Sequence, residues 1–262
     1  MSPISIPGKV ALARHDSDVV NYIAAIEAAD GQSLESGVKL AYHNFIIGCK
    51  ADGTWSAIKA SCILAGARTL AGALVPLVGT APTNYNFVAG DYDRETGLKG
   101  DGSTKYLDSN RAGNADPQNS AHATIYATTV NTGTRWYMGS NNAATGSSNF
   151  FSVSGTDTQF RSRSASPSAV RTNTNVAGLI GESRSSSASY ITRANGANVT
   201  VSQLSEPTNS ANWGIYLALG YSPASAFGDA RLSFYSIGEA LDLALLDARV
   251  TTLMSDIGAA IP

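Results

Sequence analysis

The apolar residues of this chain change their spacing at one stretch, and that change most constrains the fold. The stretch is Gly97-Leu98-Lys99-Gly100-Asp101-Gly102-Ser103-Thr104-Lys105-Tyr106-Leu107-Asp108, a glycine-rich turn followed by the strand-forming pair Tyr106 and Leu107. Upstream of it, apolar residues recur with the period of a helix; downstream, they alternate with the period of a strand. The sequence therefore predicts helices first and an antiparallel sheet afterwards, with a boundary near residue 83.

The chain before the boundary is expected to form an extended arm over residues 1–15 and then three helices. A helix start favours a short polar side chain that accepts from the free backbone amides. The expected caps are Asp16 or Ser17, Ser36 and Thr54. The apolar stripes are narrow, so we expect the helices to dock on the following domain or on a neighbouring subunit. The stripes comprise Val19, Ile23 and Ile26; Val38, Ala41 and Phe45; and Trp55, Ile58, Cys62 and Ala65.

The chain after the boundary alternates like a sheet. Strands are predicted over 120–128, 135–139, 149–154, 158–163, 176–181, 190–193, 198–202, 213–220 and 230–238. The Asn195-Gly196 step between two of them is a strong hairpin signal. A last helix, capped by Asp242, carries an apolar stripe from Leu243 to Ile257. The predicted fold class is mostly β: an antiparallel sandwich or jelly roll over 84–262 with a closing helix, preceded by a helical module over 1–83.

Charge is sparse, which excludes several classes of partner. Charged residues make up 15% of the 262 residues and the formal net charge is −2. Without a basic face or a polybasic run, we expect no nucleic acid partner and no insertion into a membrane. The start of the chain lacks the pattern of a signal peptide, so a protein made in a cytoplasm is expected. Cys49 and Cys62 are expected to be small buried apolar residues, with a disulfide or a metal site as the weaker alternatives.

The order of these elements resembles a concanavalin A-like (laminin-G-like) lectin or glucanase domain. The resemblance rests on Gly100–Leu107, on Ala123–Ala127, on the Asn195-Gly196 hairpin and on the closing stretch Phe227–Leu241. It covers about residues 95–258. The resemblance implies a jelly-roll sandwich with a lectin-like surface.

The whole chain is also similar to structural proteins of tailed bacteriophages. This resemblance rests on Trp55–Leu70 and on Asn84-Tyr85-Asn86-Phe87. It implies a virion surface protein assembled in the host cytoplasm: a tail fibre, baseplate or receptor-binding component, or alternatively a capsid decoration protein. The implied partners are other virion proteins, further copies of the chain in a homo-oligomer such as a trimer, and a glycan on the host surface. A lectin module whose main task is sugar recognition is a further alternative.

The sequence does not favour catalysis. Glucanases of the resembled superfamily carry a Glu-x-Asp-x-(x)-Glu strand, and this chain has no such strand. Glycoside hydrolysis needs two carboxyl groups about 5–9 Å apart. The glutamates here are scattered, so we expect a protein that is not an enzyme, with no catalytic residue and no cofactor.

Calcium is the ion that the acidic residues of the sequence leave open. Asp91, Asp93 and Glu95 alternate in a loop, but Ser103 stands where an EF-hand needs glutamate. Solvation and pairing with a nearby cation is the simpler interpretation of that loop. A second acidic group would suit a lectin-like calcium site and comprises Asp108, Asn110, Asn114 and Asp116.

The candidate contact surface for a sugar or a partner protein consists of aromatic, histidine and arginine side chains on the predicted strands. Its members are His122, Tyr126, Tyr137, Tyr216, Arg135, Arg161 and Arg163. His122 and Tyr126 share one strand face, which is either a sugar-binding surface or simply the solvated side of a sheet. The aromatic residues considered for stacking on a sugar ring also include Trp136, Trp213 and Tyr221, and alternation places Trp213 in the core and Tyr216 opposite to it. Arginine suits planar polar recognition, although a solvated face explains these arginines equally well.

Overall fold

The computed structural model describes residues 16–141, 144–165, 169–221 and 226–262. The predicted arm over 1–15 lies outside the described residues. The helices are α1 (Ser17–Asp30), α2 (Ser36–Ala51), the single turn α3 (Leu70–Ala73) and α4 (Leu243–Ala260). The strands are β1 (Ile58–Ile63), β2 (Thr83–Tyr85), β3 (Tyr92–Asp93), β4 (Gly97–Lys99), β5 (Tyr106–Ala112), β6 (Ala121–Thr129), β7 (Arg135–Ser140), β8 (Ser148–Val153), β9 (Asp157–Arg161), β10 (Ala169–Arg171), β11 (Gly178–Arg184), β12 (Ser189–Ala194), β13 (Ala197–Ser202), β14 (Asn212–Ile215), β15 (Ala218–Leu219) and β16 (Arg231–Gly238).

Within the described residues, these strands form two sheets that pack face to face. Sheet A has the order β13-β12-β11-β6-β16-β4-β3, with β1 also paired to β16. Sheet B has the order β10-β9-β8-β7-β14-β5-β2, and the short β15 lies parallel to β7. Side chains from both sheets meet in one buried core that includes Ile125 and Tyr235 of sheet A and Phe150 and Trp213 of sheet B. The predicted antiparallel sandwich is confirmed.

The helices cover the outer face of sheet A. A second buried cluster joins Phe45 of α2 and Val250 of α4 to Phe234 of β16 and Leu179 of β11. Phe45 and Phe234 meet edge to face, with ring centroids 5.7 Å apart. The molecule therefore has three layers in the order helices, sheet A and sheet B, and the outer face of sheet B lies on the side away from the helices.

The ends of the helices follow local chemistry. The Asp16 carboxylate accepts from the amides of Asp18 and Val19 and caps α1, which ends at a left-handed Gly31. Asp242 caps α4 in the same way, as predicted, although this helix continues past Gly258 to Ala260. Ser36 is the first residue of α2 rather than its cap. No described helix is long and apolar enough to cross a membrane.

The third predicted helix is wrong, because its sequence forms strand β1. Only the short 3-10 turn Trp55–Ala57 is helical, and the chain from Ile58 pairs antiparallel with β16. Ala60 and Cys62 enter the core between the sheets, whereas Ile63 packs under the helices. A strand buried on both faces is apolar at nearly every position, so its residues also satisfy a helical spacing. The two-part division at residue 83 stays a prediction, although β1, upstream of it, pairs with β16.

The strand predicted over 213–220 is broken in the middle. Tyr216 has a φ of 70°, a left-handed conformation that ends β14 at Ile215. Its buried hydroxyl donates to the Leu98 carbonyl, and its ring lies 5.2 Å from that of Phe87. The chain then bends and continues as β15. The burial of Tyr216 holds a conformation that a tyrosine seldom adopts.

Both cysteines are free and buried, as expected. Burial raises the pKa of the Cys49 thiol to about 11 and that of the Cys62 thiol to about 12. The Cys62 sulfur lies 3.4 Å from the Tyr235 hydroxyl inside the sandwich. These thiols are therefore protonated packing groups at neutral pH.

Candidate functional site

The outer face of sheet B carries a continuous group of aromatic side chains. We call this group the aromatic face, and its members are Tyr85, Tyr106, Trp136, Phe151, Tyr221 and Phe227. The rings of Tyr85 and Tyr106 are stacked, with centroids 4.3 Å apart and planes 6° apart. Tyr85 is 40% exposed, and Tyr106 is partly buried. In a stacked pair each ring covers one face of the other, so the more exposed Tyr85 presents most of the accessible apolar ring surface, together with a polar hydroxyl group.

Strand pairing brings the aromatic face together from distant parts of the chain. Tyr85 on β2 lies directly opposite Tyr106 on β5, and Trp136 on β7 lies opposite Phe151 on β8. Leu107, the neighbour of Tyr106, enters the core, so alternation directs Tyr106 outward. Phe227 completes the link, since its ring centroid is 6.1 Å from that of Tyr106.

The Trp136 half of the aromatic face is more buried than the Tyr85 half. Trp136 is only 5% exposed and packs edge to face on Phe151, at 4.6 Å, and on Tyr221, at 6.2 Å. Leu217 and Ala218, in the bend after β14 and in β15, cover the same cluster. Partial burial, and then the neighbouring Tyr85 and Asp108, raise the pKa of Tyr106. The Tyr85 half is therefore the part of the face that a ligand would contact first.

Polar side chains beside the aromatic face mainly hold its loops in place. The Arg135 guanidinium donates to the carbonyl oxygens of Gly102 and Phe227, at 2.7 and 3.0 Å, and pairs with Asp229 at 3.2 Å. Lys105 Nζ lies 2.5 Å from Asp91 Oδ1. Arg135 thus fixes two loops beside the tyrosine pair, which is a structural role rather than a free recognition group.

The turn singled out in the sequence crosses from sheet A to sheet B and leads into Tyr106. The Asp101 carboxylate accepts from the amides of Ser103, Thr104 and Lys105, at 2.8 to 3.0 Å, and from the Thr104 hydroxyl at 2.6 Å. Partial burial alone would raise the pKa of Asp101, but these hydrogen bonds outweigh it and the pKa is lowered. Gly102 has a φ of 73°, and a Cβ there would meet the Arg135 guanidinium at 2.5 Å.

We expect Asp101→Ala to lower the free energy of unfolding by about 1–2 kcal/mol, since it removes four hydrogen bonds that cap this turn. Urea unfolding at pH 7 measures the loss. The matched control is Asp101→Asn, which keeps an acceptor oxygen and should lose less. Equal losses in the two variants would contradict the assignment of the turn to these hydrogen bonds.

The predicted site residues on β6 lie under the helices and not on a solvated surface. His122 and Tyr126 do share a strand face, as alternation predicted, but this is the face of sheet A that the helices cover. His122 is 1% exposed; its ring nitrogens lie 2.5 Å from the Glu239 carbonyl oxygen and 2.7 Å from the Ser236 hydroxyl. Burial lowers the pKa of His122 to about 4. Tyr126 is half-buried against the same cluster.

Tyr137 and Tyr216 are also buried, so the expectation that they line a surface is wrong. Tyr137 lies between the sheets and its hydroxyl accepts from the Asn131 amide at 3.0 Å. A register shift between Trp136 and Met138 lets consecutive residues of β7 face the core. Tyr216 is buried by the bend described above. Trp213 is in the core, as predicted.

Two of the three predicted arginines are buried as well. Arg163 is fully buried and donates to the carbonyl oxygens of Gly113 and Asp116. Arg161 is 8% exposed at the end of β9. Arg184 on β11 is also buried nearby and donates to the Ser162 carbonyl at 2.8 Å. The guanidinium groups of Arg163 and Arg184 bind loop carbonyls at one end of the sandwich.

The acidic groups considered for calcium are mostly engaged by other groups. Asp93 accepts from the amides of Glu95 and Thr96, and Asp91 is paired with Lys105. In the second group, Asp116 is paired with Arg111. Within the described ranges, no cluster of three or more histidine, cysteine, aspartate or glutamate side chains has a geometry that could hold a metal ion.

Only part of the aromatic face could be predicted from the sequence. Trp136 and Tyr221 were among its stacking candidates, whereas Tyr85, Tyr106, Phe151 and Phe227 were not. Tyr85 lies in a three-residue edge strand that has too few residues to show alternation. The available signal was the aromatic character of the loop before the first sandwich strand, but its pairing with Tyr106 depends on the sheet order.

Comparisons with known proteins identify the fold. No known protein family and no curated protein matches the sequence. A botulinum neurotoxin serotype D binding domain is 8% identical, with a TM-score of 0.50 over 75% of this chain and 51% of that chain. A mutant Trypanosoma rangeli sialidase is 10% identical, with a TM-score of 0.48 over 82% of this chain and 38% of that chain. The carbohydrate-binding module CBM40 of the Ruminococcus gnavus IT-sialidase, bound to α2,3-sialyllactose, is 10% identical, with a TM-score of 0.41 over 51% of this chain and 82% of that chain.

At these identities the likeness concerns the fold alone. This chain spans about half of the neurotoxin domain and less than half of the trypanosomal sialidase. The sheet order and the comparison with the neurotoxin domain agree on one fold, an antiparallel β-sandwich of two sheets.

Proposed function

We propose that this protein is a non-catalytic, carbohydrate-binding β-sandwich and that the aromatic face is its glycan-binding surface. The observation that carries the proposal is the stacked Tyr85–Tyr106 pair on the outer face of sheet B, in which Tyr85 is 40% exposed. The C–H groups of a sugar ring pack on a flat aromatic surface, while nearby hydroxyl groups hydrogen-bond at the ring edge.

The surroundings of the tyrosine pair favour an uncharged glycan. The nearest cations, Arg135 and Lys105, are engaged by Asp229 and Asp91, so neither presents a free positive charge to an acidic sugar. Asp91 and Asp229 are engaged by the same two cations, and the Asp108 carboxylate accepts from the Asn110 amide and the Asn212 side-chain amide. A ligand recognised mainly by ring stacking therefore fits this face better than one recognised by charge.

Binding is tested by titrating the protein with neutral oligosaccharides chosen from a glycan array and following intrinsic fluorescence. Trp136 belongs to the aromatic face, whereas Trp213 lies in the core and Trp55 lies on the helix side. We expect Tyr85→Ala to weaken binding by about 5- to 30-fold, because truncating a stacked aromatic ring costs about 1–2 kcal/mol.

The matched control is Val20→Ala, an exposed apolar position on α1 at the opposite side of the molecule. It should bind as the unaltered protein does. A glycan array without any binding, in the presence and in the absence of calcium, would overturn the proposal. Binding that Tyr85→Ala leaves unchanged would overturn the assignment to the aromatic face.

We further propose that the glycan-binding face is displayed on a virion, as the resemblance to phage structural proteins implies. The supporting observation is that the helices and the aromatic face lie on opposite outer faces of the sandwich. The helices would attach the protein to other virion proteins and leave the aromatic face free for a host glycan. Tail attachment as part of a fibre or receptor-binding component is the first form of this proposal, and capsid decoration is the alternative.

Immunogold electron microscopy of particles that carry the chain tests this setting. Label at the tail tip or on fibres supports the first form, and label over the head supports capsid decoration. Particles that remain unlabelled with an antibody that recognises the folded protein would contradict a virion role.

A further inference from the structure

The last strand of sheet A, β13, is an unprotected sheet edge. It is six residues long with the sequence Ala-Asn-Val-Thr-Val-Ser, so it has no charge and no proline. Its pairing with β12 runs from Ala197 to Ser202 without a register shift. Soluble proteins usually interrupt such an edge with a charge, a proline or a bulge, because its free backbone groups attract another strand.

The other strands at the ends of the two sheets differ from β13. Strands β2, β3 and β10 are only two or three residues long. Asp93 puts a charge on β3, and Arg171 of β10 donates to the Ala197 carbonyl at 3.1 Å, across to the other sheet. Among these four ends, only β13 offers a long, uncharged and regular edge.

The hairpin register shows which backbone groups of β13 are free. The two-residue turn at Asn195-Gly196 makes Ala194 and Ala197 a hydrogen-bonded pair, and alternation extends this bonding to Val199 and Val201. The amide of Gln203, the next residue in this alternation, donates to the Ala188 carbonyl at 3.0 Å. The amides and carbonyls of the intervening residues, with Thr200 at the centre, therefore point away from β12. No strand in the described ranges pairs with that side.

Exposed apolar side chains surround this edge. Ile191 lies opposite Thr200 on β12 and is 37% exposed, and Val199 is 43% exposed. Leu204, two residues past the end of β13, is 69% exposed. Leu245 of α4 is also exposed. It lies near this edge because Asp247, two residues further along α4, binds Arg193 of β12 through its carboxylate. Free backbone groups and apolar side chains at one place are the two components of a strand-pairing interface.

We propose that β13 pairs antiparallel with β13 of a second copy of this chain, across a two-fold axis near Thr200. An uncharged strand meets its own copy without repulsion, and an antiparallel arrangement about a two-fold axis pairs each free amide with a free carbonyl. Sheet A of one copy then continues into sheet A of the other. The apolar side chains listed above become buried on the two sides of the joined sheet. This inference does not depend on the proposed glycan binding.

Sedimentation velocity of the intact chain, from about 1 to 200 µM, tests the proposal. The unaltered protein is expected to change from monomer to dimer in this range. Thr200→Pro removes an outward amide without touching a bond to β12, and we expect it to raise the dimer dissociation constant about tenfold or more. Thr200→Lys should do the same by placing two like charges against each other, and it keeps every backbone amide in case the proline variant fails to fold.

The matched control is Thr252→Lys, which adds the same charge at an exposed position on α4 and should leave the dimer intact. Hydrogen exchange provides the second measurement: the Thr200 amide should become protected as protein concentration rises. A chain that stays monomeric throughout the range overturns the proposal, and so does a dimer that survives both Thr200 variants. If β13 instead pairs with a strand of a different protein, this chain stays monomeric on its own, and that result overturns the proposal.

Discussion

We expect Phe234→Ala to lower the free energy of unfolding by about 3–5 kcal/mol, the range for removing a fully buried aromatic side chain. Phe234 is 0% exposed on β16, at the centre of sheet A, and packs edge to face on Phe45 of α2. The substitution leaves a cavity between the helices and the sheet, which the paired strands on either side of β16 cannot close. Urea unfolding followed by circular dichroism measures the loss.

Phe151→Ala is the matched control for this prediction. Phe151 lies on the outer face of sheet B and is only partly buried. Replacing it with alanine should therefore lower the free energy of unfolding by less than about 2 kcal/mol. Equal losses would contradict the arrangement in which the helices and sheet A share one core. The same curves test the predicted division at residue 83, because an independent helical module would unfold in a transition of its own.

The second large effect is a dependence of stability on pH through His122. Burial lowers the pKa of His122 to about 4, whereas an unfolded histidine has a pKa of about 6.5. Between these values the unfolded chain binds more protons than the folded one, so stability rises with pH across this window. The contribution is complete above about pH 6.5 and is lost progressively as the pH falls to about 4. It amounts to about 3 kcal/mol, with 1.36 kcal/mol for each pKa unit.

Glu182 acts in the opposite direction and has to be separated from His122. Burial raises its pKa well above the usual range, and the nearby guanidinium groups of Arg184 and Arg163 oppose this only in part. Its contribution to stability is therefore greatest at low pH and is lost as the pH rises from the unfolded value of about 4.5. The pH profile of the unaltered protein combines both effects.

The measurement is the difference in unfolding free energy between His122→Gln and the unaltered protein, from pH 4 to pH 7. Glutamine has no titrating group, and the contribution of Glu182 cancels in the difference. As the pH rises through this range, we expect the unfolding free energy of the unaltered protein to increase by about 3 kcal/mol relative to that of the variant. A constant difference would show that His122 titrates alike in both states. Glu182→Gln should give a difference of the opposite slope.

Several elements could be predicted because their signals are local. Asp16 and Asp242 cap helices through their own side chains, and Asn195-Gly196 forms a two-residue turn without help from distant residues. The strands β6 and β16 show clear alternation or a dense apolar run. In each case the signal and the structure lie within about ten residues of each other.

The candidate site was harder to predict, because it depends on which face of each sheet is covered. Alternation correctly put His122 and Tyr126 on one face, but three helices cover that face. Tyr216 was placed opposite Trp213 on the assumption of a continuous strand, and a left-handed residue breaks that strand. Tyr85 and Tyr106 are 21 positions apart, and only the pairing of β2 with β5 stacks their rings.

The sequence alone determined the mostly β class, the hairpin, the helix caps and the burial of both cysteines, since turn chemistry and apolar periodicity act over a few residues. The tertiary structure decided that Ile58–Ile63 is a strand, that the face of β6 with His122 and Tyr126 lies under the helices, and that Tyr85 is exposed. These features depend on contacts between segments up to about 180 positions apart, such as β1 with β16. Local periodicity shows which side chains share a face, but only the packing of the layers determines what lies against that face.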